Sequence, residues 1–409
     1  MRVDPKTLMR TQALTLIGRT AHAARSAAVS YFDERTTMTH SRSTTIRPAF
    51  AWAVLAAVLA ASPANAQTPP AAPDPTPAPE APKIDVTGFV DAYYQYNSNG
   101  VDPLLRSFDV QHNAFSLSLA EIAFSKGVAT GSRVGFRVDL NFGKTADLTA
   151  AFEPAEDGKE IYKHIQQAYV SVLAGSKLQL DVGKFVTPLG AEVIESQDNW
   201  NYSRSILFGY AIAFYHVGLR ASLPVNDKVS VSGYLVNGWN NGSENNSGKT
   251  VAFGATLKPT SKVTWVGTFM TGSEAPDANS PKRSLFDTTL TLALTPKFSL
   301  MANYDYGKEG EASWWGLATY AKLSPSDTWS VVGRYEYIDD SDGGFMTIGQ
   351  KAQSFTLTSD HVVAGGLKTR LEFRLDQTDD PFFPDDKGKL EKSQTAFLIG
   401  LVYSFGGKI

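Results

Sequence analysis

Residues 133–142 read RVGFRVDLNF, and this stretch decides the fold. Its valine, phenylalanine and leucine side chains recur at every second position, while Arg133, Arg137 and Asp139 occupy alternate positions. A period of two places successive side chains on opposite faces of a β-strand. The stretch is therefore predicted to be a strand with one apolar face and one charged face.

The same alternation continues outward from this stretch in both directions. It is clear in KTRLEFRLD at residues 368–376 and in TAFLIGLVYSF at residues 395–405. Sixteen such segments are predicted from the sequence, with boundaries uncertain by a few residues. They lie at 84–97, 112–126, 132–144, 163–173, 177–184, 207–222, 227–239, 249–259, 262–273, 283–295, 297–307, 313–323, 327–338, 350–359, 366–377 and 394–405.

The connections between these segments alternate between short and long. Residues 174–176 and 324–326 are short connections, for example, whereas 98–111 and 308–312 belong to the long set. Tight turns at one end, longer loops at the other and an even strand number are typical of outer-membrane barrels. The predicted fold class is all-β: a transmembrane antiparallel up-and-down β-barrel of about sixteen strands, with about fourteen or eighteen as alternatives.

The two faces of such strands have different surroundings. In lipid every backbone polar group must be paired, so a strand-built membrane protein needs a closed sheet. The apolar face then meets lipid, the charged face lines the lumen, and about sixteen strands leave room for an aqueous channel. Acids and bases on the charged face are balanced, so the charge selectivity stays open. The predicted lumen-lining residues are Arg133, Arg137, Asp139, His216, Arg220, Arg334, Glu336, Arg370, Glu372 and Arg374, with Asp91, Asp287, Asp305, Lys368 and Asp376.

The alternation stops within residues 181–205, DVGKFVTPLGAEVIESQDNWNYSRS. Pro188 lacks a backbone N–H and Gly190 lacks a side chain to pack, so neither simply continues a strand. A long connection without secondary structure is uncommon in a compact domain unless it has a function. We interpret it as a loop that folds into the barrel and narrows it; the alternative is a disordered surface loop. The candidate constriction residues are Lys184, Glu192, Glu195, Asp198 and Arg204.

The acidic loop residues are expected to face basic wall residues across the narrowest section. The named wall candidates are Arg133, Arg137 and Arg220. Opposed charges across a narrow pore orient water and polar solutes. The alternative is that Glu192 and Arg204 only pin the loop through ion pairs.

The N-terminal region predicts export. Arg42 and Arg47 precede an uncharged apolar run at 49–61, and Ala-Asn-Ala at 64–66 is a small-x-small cleavage site. The run is too short for a membrane-spanning helix. Residues 38–66 are therefore predicted to be a cleaved signal peptide, which directs the protein to the bacterial outer membrane as a multi-pass protein.

The segments on either side of the signal peptide differ in character. Residues 1–37 are interpreted as a mis-assigned N-terminal extension, with an unusually long leader as the alternative. Residues 67–83 consist almost only of Pro, Ala, Thr and acids, so they are predicted to form an extended periplasmic linker. The barrel is predicted to occupy residues 84–409.

Composition and motifs exclude several function classes. A formal net charge of −3 offers no basic footprint for nucleic acid, and the absence of cysteine excludes disulfides and thiolate metal sites. The sequence contains no HExxH, GxSxG or Gly-rich phosphate loop. We expect no enzymatic activity, no metal and no cofactor.

The stretch VGKFVTPLGAE at residues 182–192 resembles bacterial outer-membrane porins, in particular the OmpL-like β-barrel porin family, also called β-barrel porin 2. NYSRS at 201–205, HVGLR at 216–220 and VNGW at 236–239 support the resemblance, which spans most of 84–405. It implies passive diffusion of small hydrophilic solutes or ions through a water-filled channel, as a monomer or a homotrimer in outer-membrane lipid. It assigns no catalytic residues. The alternative function is a structural or adhesive outer-membrane barrel with little transport activity.

Overall fold

The structure is a computed structural model that describes residues 83–151 and 162–408. The predicted extension, the signal peptide and all but the last residue of the predicted linker lie outside the described residues. The strands are β1 Asp85–Asn97, β2 Ala114–Lys126, β3 Val134–Phe142, β4 Ile165–Ala174, β5 Leu178–Val186, β6 Tyr215–Asn226, β7 Val229–Val236, β8 Thr250–Thr260, β9 Val263–Ser273, β10 Lys282–Thr295, β11 Phe298–Glu309, β12 Ala312–Ser326, β13 Trp329–Asp342, β14 Lys351–Ala364, β15 Leu367–Thr378, β16 Phe383–Pro384, β17 Leu390–Glu391 and β18 Ser393–Lys408. The helical segments are α1 Lys144–Thr149, a 3₁₀ turn at Ser196–Asp198 and a π-helical turn at Leu207–Ala211.

Sixteen of these strands close into one antiparallel barrel. Each of β1 to β15 pairs with its sequence neighbours, and β18 closes the sheet by pairing with both β15 and β1. The remaining two, β16 and β17, form a separate small hairpin within the last long connection. The predicted strand number of sixteen is confirmed, and the alternatives of about fourteen and eighteen are wrong.

The pleat of the strands gives the barrel an apolar outer face. On β18, Phe397, Ile399 and Leu401 are each about half exposed, whereas the intervening Leu398 and Val402 are buried. The same alternation holds on β3 and β15. Adjacent side chains of a strand point to opposite faces, so the exposed set lies on the outside of the closed sheet and the other set lies inside. Among residues 83–151 and 162–408, no helix combines the length and apolarity needed to cross a membrane.

Short turns lie at one end of the barrel, here called the short-turn end. The opposite end, the long-loop end, carries the connections 98–113, 143–164, 187–214, 237–249, 274–281, 343–350 and 379–392. One predicted long connection is wrong, because residues 310–311 alone join β11 to β12. Gly310 adopts a φ of 62°, which allows this tight reversal.

The sixth predicted strand, 207–222, is wrong in its first half. Residues Leu207–Ala211 form the π-helical turn, and β6 begins only at Tyr215. This stretch is apolar and is buried inside the barrel. A short apolar run does not distinguish a strand from another buried segment of backbone. The pairing of β1 with β2 contains one irregularity. Asp91 faces Leu119 and Ala92 faces Leu117, so Ser118 is an extra residue on β2.

Candidate channel constriction

Residues 187–214 form a long loop that enters the barrel, here called the inserted loop. Its two ends are joined at the long-loop end, where Thr187 N donates to Phe214 O at 3.0 Å. His216, fully buried at the start of β6, fixes this junction. Its Nδ1 donates to Gly238 O at 2.8 Å, so its Nε2 accepts from the Thr187 hydroxyl at 3.0 Å.

The first half of the inserted loop runs down the lumen towards the short-turn end. Ala191 N donates to Asn303 Oδ1 on β11 at 3.3 Å. Further on, the Ser196 hydroxyl donates to Asp91 on β1 at 2.7 Å. At the tip, Lys368 Nζ donates to Gln197 O at 3.2 Å. Because Lys368 is the second residue of β15, the loop reaches the short-turn end of the wall.

The second half of the inserted loop returns along the same wall. The Tyr202 hydroxyl donates to Asp91 at 2.8 Å, and Tyr202 N donates to Glu372 at 2.7 Å. Ile206 N then donates to Glu336 on β13 at 2.7 Å. Wall carboxylates therefore accept hydrogen bonds from loop backbone that would otherwise be buried without partners.

Three buried arginines complete the attachment, and we call Arg334, Arg370 and Arg374 the arginine clamp. Arg334 donates to Ser203 O at 2.6 Å. Arg370 donates to Ser196 O at 2.5 Å and to Asn199 O at 2.6 Å. Arg374 donates to Arg204 O at 2.6 Å. Each guanidinium presents its several N–H groups to main-chain oxygens of the loop.

Acidic side chains balance the arginine clamp. Arg334 forms ion pairs with Glu192 of the loop at 2.8 Å and with Glu336 of the wall at 3.1 Å. Arg370 pairs with Asp360 at 2.7 Å, and Arg374 pairs with Asp376 at 2.7 Å. All these side chains are at most one-tenth exposed. Buried charges that are paired and hydrogen-bonded hold one geometry, and removing one partner is costly.

The predicted pairing of the loop acids with Arg133, Arg137 and Arg220 is wrong. Glu192 pairs with Arg334 instead, Glu195 accepts a hydrogen bond from Gln166, and Asp198 is exposed at the loop tip. The physical reason is that Glu192 faces β13 and Glu195 faces an uncharged amide on β4, whereas the named bases have partners elsewhere. Wall acids on neighbouring positions pair with two of them, Arg137 with Asp139 at 2.8 Å and Arg220 with Asp181 at 2.7 Å, and Arg133 donates to Leu173 O at 2.7 Å.

Lys184 is also not placed in the constriction. On β5, Lys184 lies two positions from Val182, which is 60% exposed on the outer face, and next to Phe185, which is buried on the inner face. Lys184 shares that outer face because side chains alternate along a strand. Its ammonium lies 4.5 Å from the ring centroid of Tyr162 and 4.1 Å from that of Tyr215. Lys184 is thus placed on the outside of the barrel, near the long-loop end.

Arg204 turns back onto the loop itself. Its Nη1 donates to Tyr202 O at 2.6 Å, its Nε donates to Val193 O at 3.2 Å, and its Nη2 bonds to Ile194 O. Burial lowers the pKa of Arg204. Burial raises the pKa of Glu195 in the same loop, and the carboxylates of Asp139 and Asp198 add to that rise. Arg204 therefore stabilises the fold of the loop, and its buried guanidinium binds loop carbonyls in place of solute.

Two wall glycines let the inserted loop approach the sheet closely. A Cβ atom at Gly316 would lie 2.5 Å from Leu207 Cδ2, and one at Gly400 would lie 2.7 Å from Tyr202 Cδ2. Both loop side chains are buried, at 0% and 1% exposure, so they cannot easily move aside. The absence of a side chain at these two positions is what makes room for the loop.

The interior wall consequently divides into two regions. On β12 to β15, β18 and β1, the inward-facing side chains are buried beneath the inserted loop along most of each strand; this region is the covered wall. On β6 to β9, inward-facing residues of the short-turn half remain partly exposed; this region is the open wall. The open wall is lined by Gly218, Arg220, Ser222, Ser232, Tyr234, Gly254, Thr256, Thr264 and Val266.

Other predicted lumen residues lie between these regions. Asp287 and Asp305 are directly opposite each other on β10 and β11, are fully buried, and both accept from Asn303 Nδ2, at 2.8 and 3.4 Å. No group of three or more His, Asp or Glu side chains suited to a metal ion occurs within 83–151 and 162–408. The long-loop half of the lumen holds an apolar cluster that includes Phe108, Leu189 and Phe208.

The sequence prediction missed several residues of the site. Asn201, Tyr202 and Ser203 contact the wall directly, although none is charged. Arg106 of the connection 98–113 pairs with Asp376 at 3.2 Å. Lys322 faces the lumen on β12, and its alternation with Ala318 and Tyr320 was a signal available in the sequence. Loop contacts carry no such periodic signal.

Comparisons with known proteins agree with this architecture. A family model described as "Putative beta-barrel porin-2, OmpL-like" matches residues 83–405. No curated protein matches the sequence. Among solved structures, an anion-selective porin from Comamonas acidovorans aligns with a TM-score of 0.53 at 12% identity, over 79% of this chain and 99% of that chain.

Two further solved structures are similar. In-vitro folded OmpT of Vibrio cholerae, in its trimer form, aligns with a TM-score of 0.53 at 9% identity, over 79% of this chain and 99% of its own. OmpF of Salmonella typhi, in complex with daunomycin, aligns with a TM-score of 0.55 at 11% identity, over 79% of this chain and 97% of its own. At such identities the similarity concerns the fold alone.

Proposed function

The chain belongs to the β-barrel porin-2, OmpL-like family, and from that premise we propose that it is an outer-membrane porin for passive diffusion of small hydrophilic solutes or ions. The observation that carries the proposal is the closed sixteen-strand barrel, apolar outside and polar inside, with a loop folded into its lumen. A barrel of this size is wide enough for water-filled passage when loops leave part of it open.

The open wall supports a position for the pathway. Its serine, threonine and tyrosine side chains and Arg220 are partly exposed inside the barrel, whereas the covered wall is buried beneath the inserted loop. The pathway therefore runs along β6 to β9 and is narrowed on its other side by the loop. The short-turn end faces the periplasm, as in other barrels of this architecture.

The proposal also assigns no catalytic role to any residue. The arginine clamp and its acidic partners attach the loop, Asp287 and Asp305 bind Asn303, and Arg220 on the open wall pairs with Asp181. Delivery to the outer membrane by the signal peptide at 38–66 belongs to the same proposal. We expect amino-terminal sequencing of the purified protein to begin near Gln67.

Single-channel recording in planar bilayers tests the proposal. The folded protein is expected to give discrete conductance steps, and deletion of residues 192–200 is expected to enlarge them, because this segment occupies the lumen. Heat-modifiable migration on gels establishes that each variant is folded. Folded protein and folded deletion variant that both lack steps would refute the porin proposal.

The second candidate function, a structural or adhesive barrel with little transport, is favoured by one observation. The long-loop half of the lumen holds an apolar cluster with side chains from several loops and strands. The same recordings separate the two candidates. A folded wild-type protein without steps, together with a deletion variant that conducts, would favour the structural barrel.

We further propose that the porin assembles as a homotrimer through the outer face of β4 to β7. Apart from Tyr215, which is buried at the long-loop end of β6, the outward-facing positions of these strands hold aliphatic side chains, glycine and Lys184. The outer faces of the other twelve barrel strands each carry an aromatic residue. Aromatic side chains mark the interfaces of a barrel with lipid, so a sector whose single aromatic residue is buried fits a second copy of this chain.

Cysteine crosslinking tests this assembly, because the natural chain has no cysteine. Val182→Cys on β5 is expected to form disulfide-linked dimers under mild oxidation in membranes. Leu371→Cys, half-exposed on the outer face of β15, serves as the matched control and is expected to stay monomeric. Equal crosslinking at the two positions would contradict the proposed interface.

A further inference from the structure

We propose that the lumen holds a binding site for a small oxyanion, a carboxylate or phosphate, beneath the tip of the inserted loop. This inference rests on the proposed porin function and adds a solute class to it. The site is a cavity of about 350 Å³ at the short-turn end of the covered wall. It is bounded by Asp198 and Trp200 of the loop, by Lys322, Asp360, Lys368 and Arg370 of the wall, and by Asp327 of the turn between β12 and β13.

Two ammonium groups enter this cavity from different strands. Lys322 comes from β12, and its Nζ lies 5.6 Å from the ring centroid of Trp200. Lys368 comes from β15, and its Nζ donates to Gln197 O at 3.2 Å. Both side chains are partly buried. Within the part of the chain that the structure describes, neither has a carboxylate within ion-pair distance.

The other charged groups of the cavity do not cancel the two ammonium charges. Arg370 binds Asp360 and loop carbonyls. Asp360 Oδ2 accepts from Arg370 at 2.7 Å, while its Oδ1 has no hydrogen-bond partner among the described residues. Asp198 and Asp327 are exposed, so water screens their charges more than those of the two lysines. Because Arg370 balances the charge of Asp360, Lys322 and Lys368 are the excess charge of the less exposed lining, and a partly desolvated ammonium is stabilised by an anionic acceptor.

Trp200 supplies the apolar part of the site. Its ring meets that of Tyr320 edge-on, at 6.3 Å between centroids and 90° between planes, so its orientation is fixed. An indole face beside two ammonium groups suits an anion that carries a flat apolar group. Phosphate would use only the lysines, whereas an aromatic carboxylate such as benzoate would use the lysines and the ring.

The test is concentration-dependent block of single-channel current by sodium phosphate and by sodium benzoate. Both salts are expected to reduce the current through the wild-type channel. The double variant Lys322→Gln/Lys368→Gln is expected to need about tenfold more of either salt, equivalent to about 1.4 kcal/mol. Trp200→Leu is expected to weaken block by benzoate while leaving block by phosphate unchanged.

The matched control is Lys262→Gln, which removes the same charge from the exposed turn between β8 and β9. It is expected to leave both blocks unchanged. Equal block of the double variant and the wild type, or an equal loss of block in Lys262→Gln, would overturn the site. If the folded protein gives no current, the porin function is refuted and the site is tested by calorimetric titration with benzoate. Equal heats of binding for the wild type and the double variant would then overturn the site.

Discussion

The covered wall and the open wall are built from strands with the same alternating pattern, yet they use their charges differently. On the covered wall, Arg334, Arg370 and Arg374 are at most 1% exposed and bind main-chain oxygens of the inserted loop. On the open wall, Arg220 keeps a side-chain exposure of 19% and pairs with Asp181 of the neighbouring strand. The difference is set by what faces each wall across the lumen: a second layer of protein or water.

This contrast teaches that a polar inner face can serve either as a water-lined surface or as a binding surface for the protein's own chain. In the first case the charges act on solutes. In the second they lie in a low-dielectric environment and act on the position of the loop. The contrast predicts a larger loss of stability from changes on the covered wall than from changes on the open wall.

The largest effect is expected from Arg334→Gln. It leaves the buried carboxylates of Glu192 and Glu336 without their cation, which costs about 3–5 kcal/mol for a broken buried pair. The loop is then expected to detach, so the free energy of unfolding in urea falls and single-channel conductance rises. Arg220→Gln is the matched control, because Asp181 retains donors in Ser171 at 2.6 Å and Gln179 at 2.8 Å.

For this pair, the control is expected to lose on the order of 1 kcal/mol or less, since its ion pair is partly exposed. If the two variants lose equal stability, the ion pairs of Arg334 on the covered wall do not hold the loop in place. If Arg334→Gln fails to insert, its refolding yield on heat-modifiable gels gives the same comparison.

A smaller effect is expected from filling the space beneath the loop. Gly400→Ala would place a methyl group 2.7 Å from the Tyr202 ring carbon, and overpacking of this kind costs about 1–3 kcal/mol. Gly233→Ala, on β7, meets no atom within 4 Å and is the matched control. Urea unfolding of both variants measures the difference. A stable Gly400→Ala with unchanged conductance would show that the loop does not depend on close approach.

A pH effect is expected from Glu195. Because burial raises its pKa in the folded protein, folded Glu195 keeps its proton at pH values where the unfolded chain has released it. The unfolded state then binds fewer protons, so the free energy of unfolding decreases as pH rises above the ordinary glutamate range, by at most about 1.4 kcal/mol per pH unit.

Glu195→Gln replaces the titrating carboxyl group by a neutral amide and is expected to flatten the dependence of unfolding free energy on pH. Asp198→Asn, one turn further at the exposed tip, is the matched control and is expected to retain the slope. A slope that Glu195→Gln leaves unchanged would assign the pH dependence to other buried acids, such as Asp109, whose pKa is also raised by burial.

The smallest effect on stability, with a clear effect on transport, is expected from the open wall itself. Arg220→Gln removes a cation that is exposed to the lumen, so the reversal potential in a potassium chloride gradient is expected to shift towards cation preference. Arg370→Gln, a fully buried change of equal charge, would be expected to act mainly on stability. An unchanged reversal potential in folded Arg220→Gln would place the pathway away from β6 to β9.

The barrel could be predicted from the sequence because period two is a local property of each strand. Residues 133–142 already carried that information, and the same pattern gave sixteen strands. The partners of the inserted loop could not be predicted in this way. Which wall it meets depends on side chains more than a hundred residues away, as with Glu192 and Arg334, and no periodicity relates such positions. The stretch 207–211 was predicted to be part of a strand because it is a short apolar run, and a buried π-helical turn has the same composition.

The arginine clamp binds backbone atoms of the loop, and this affects how the sequence of such a barrel can diverge. Arg370 and Arg374 grip the loop by its carbonyl oxygens, which every residue type supplies. Substitutions in the loop therefore preserve these contacts so long as the backbone path is retained. The side chains that meet passing solutes are then free to vary while the attachment stays the same. Relatives of this chain can therefore diverge in solute selectivity while they keep the same attachment of the loop.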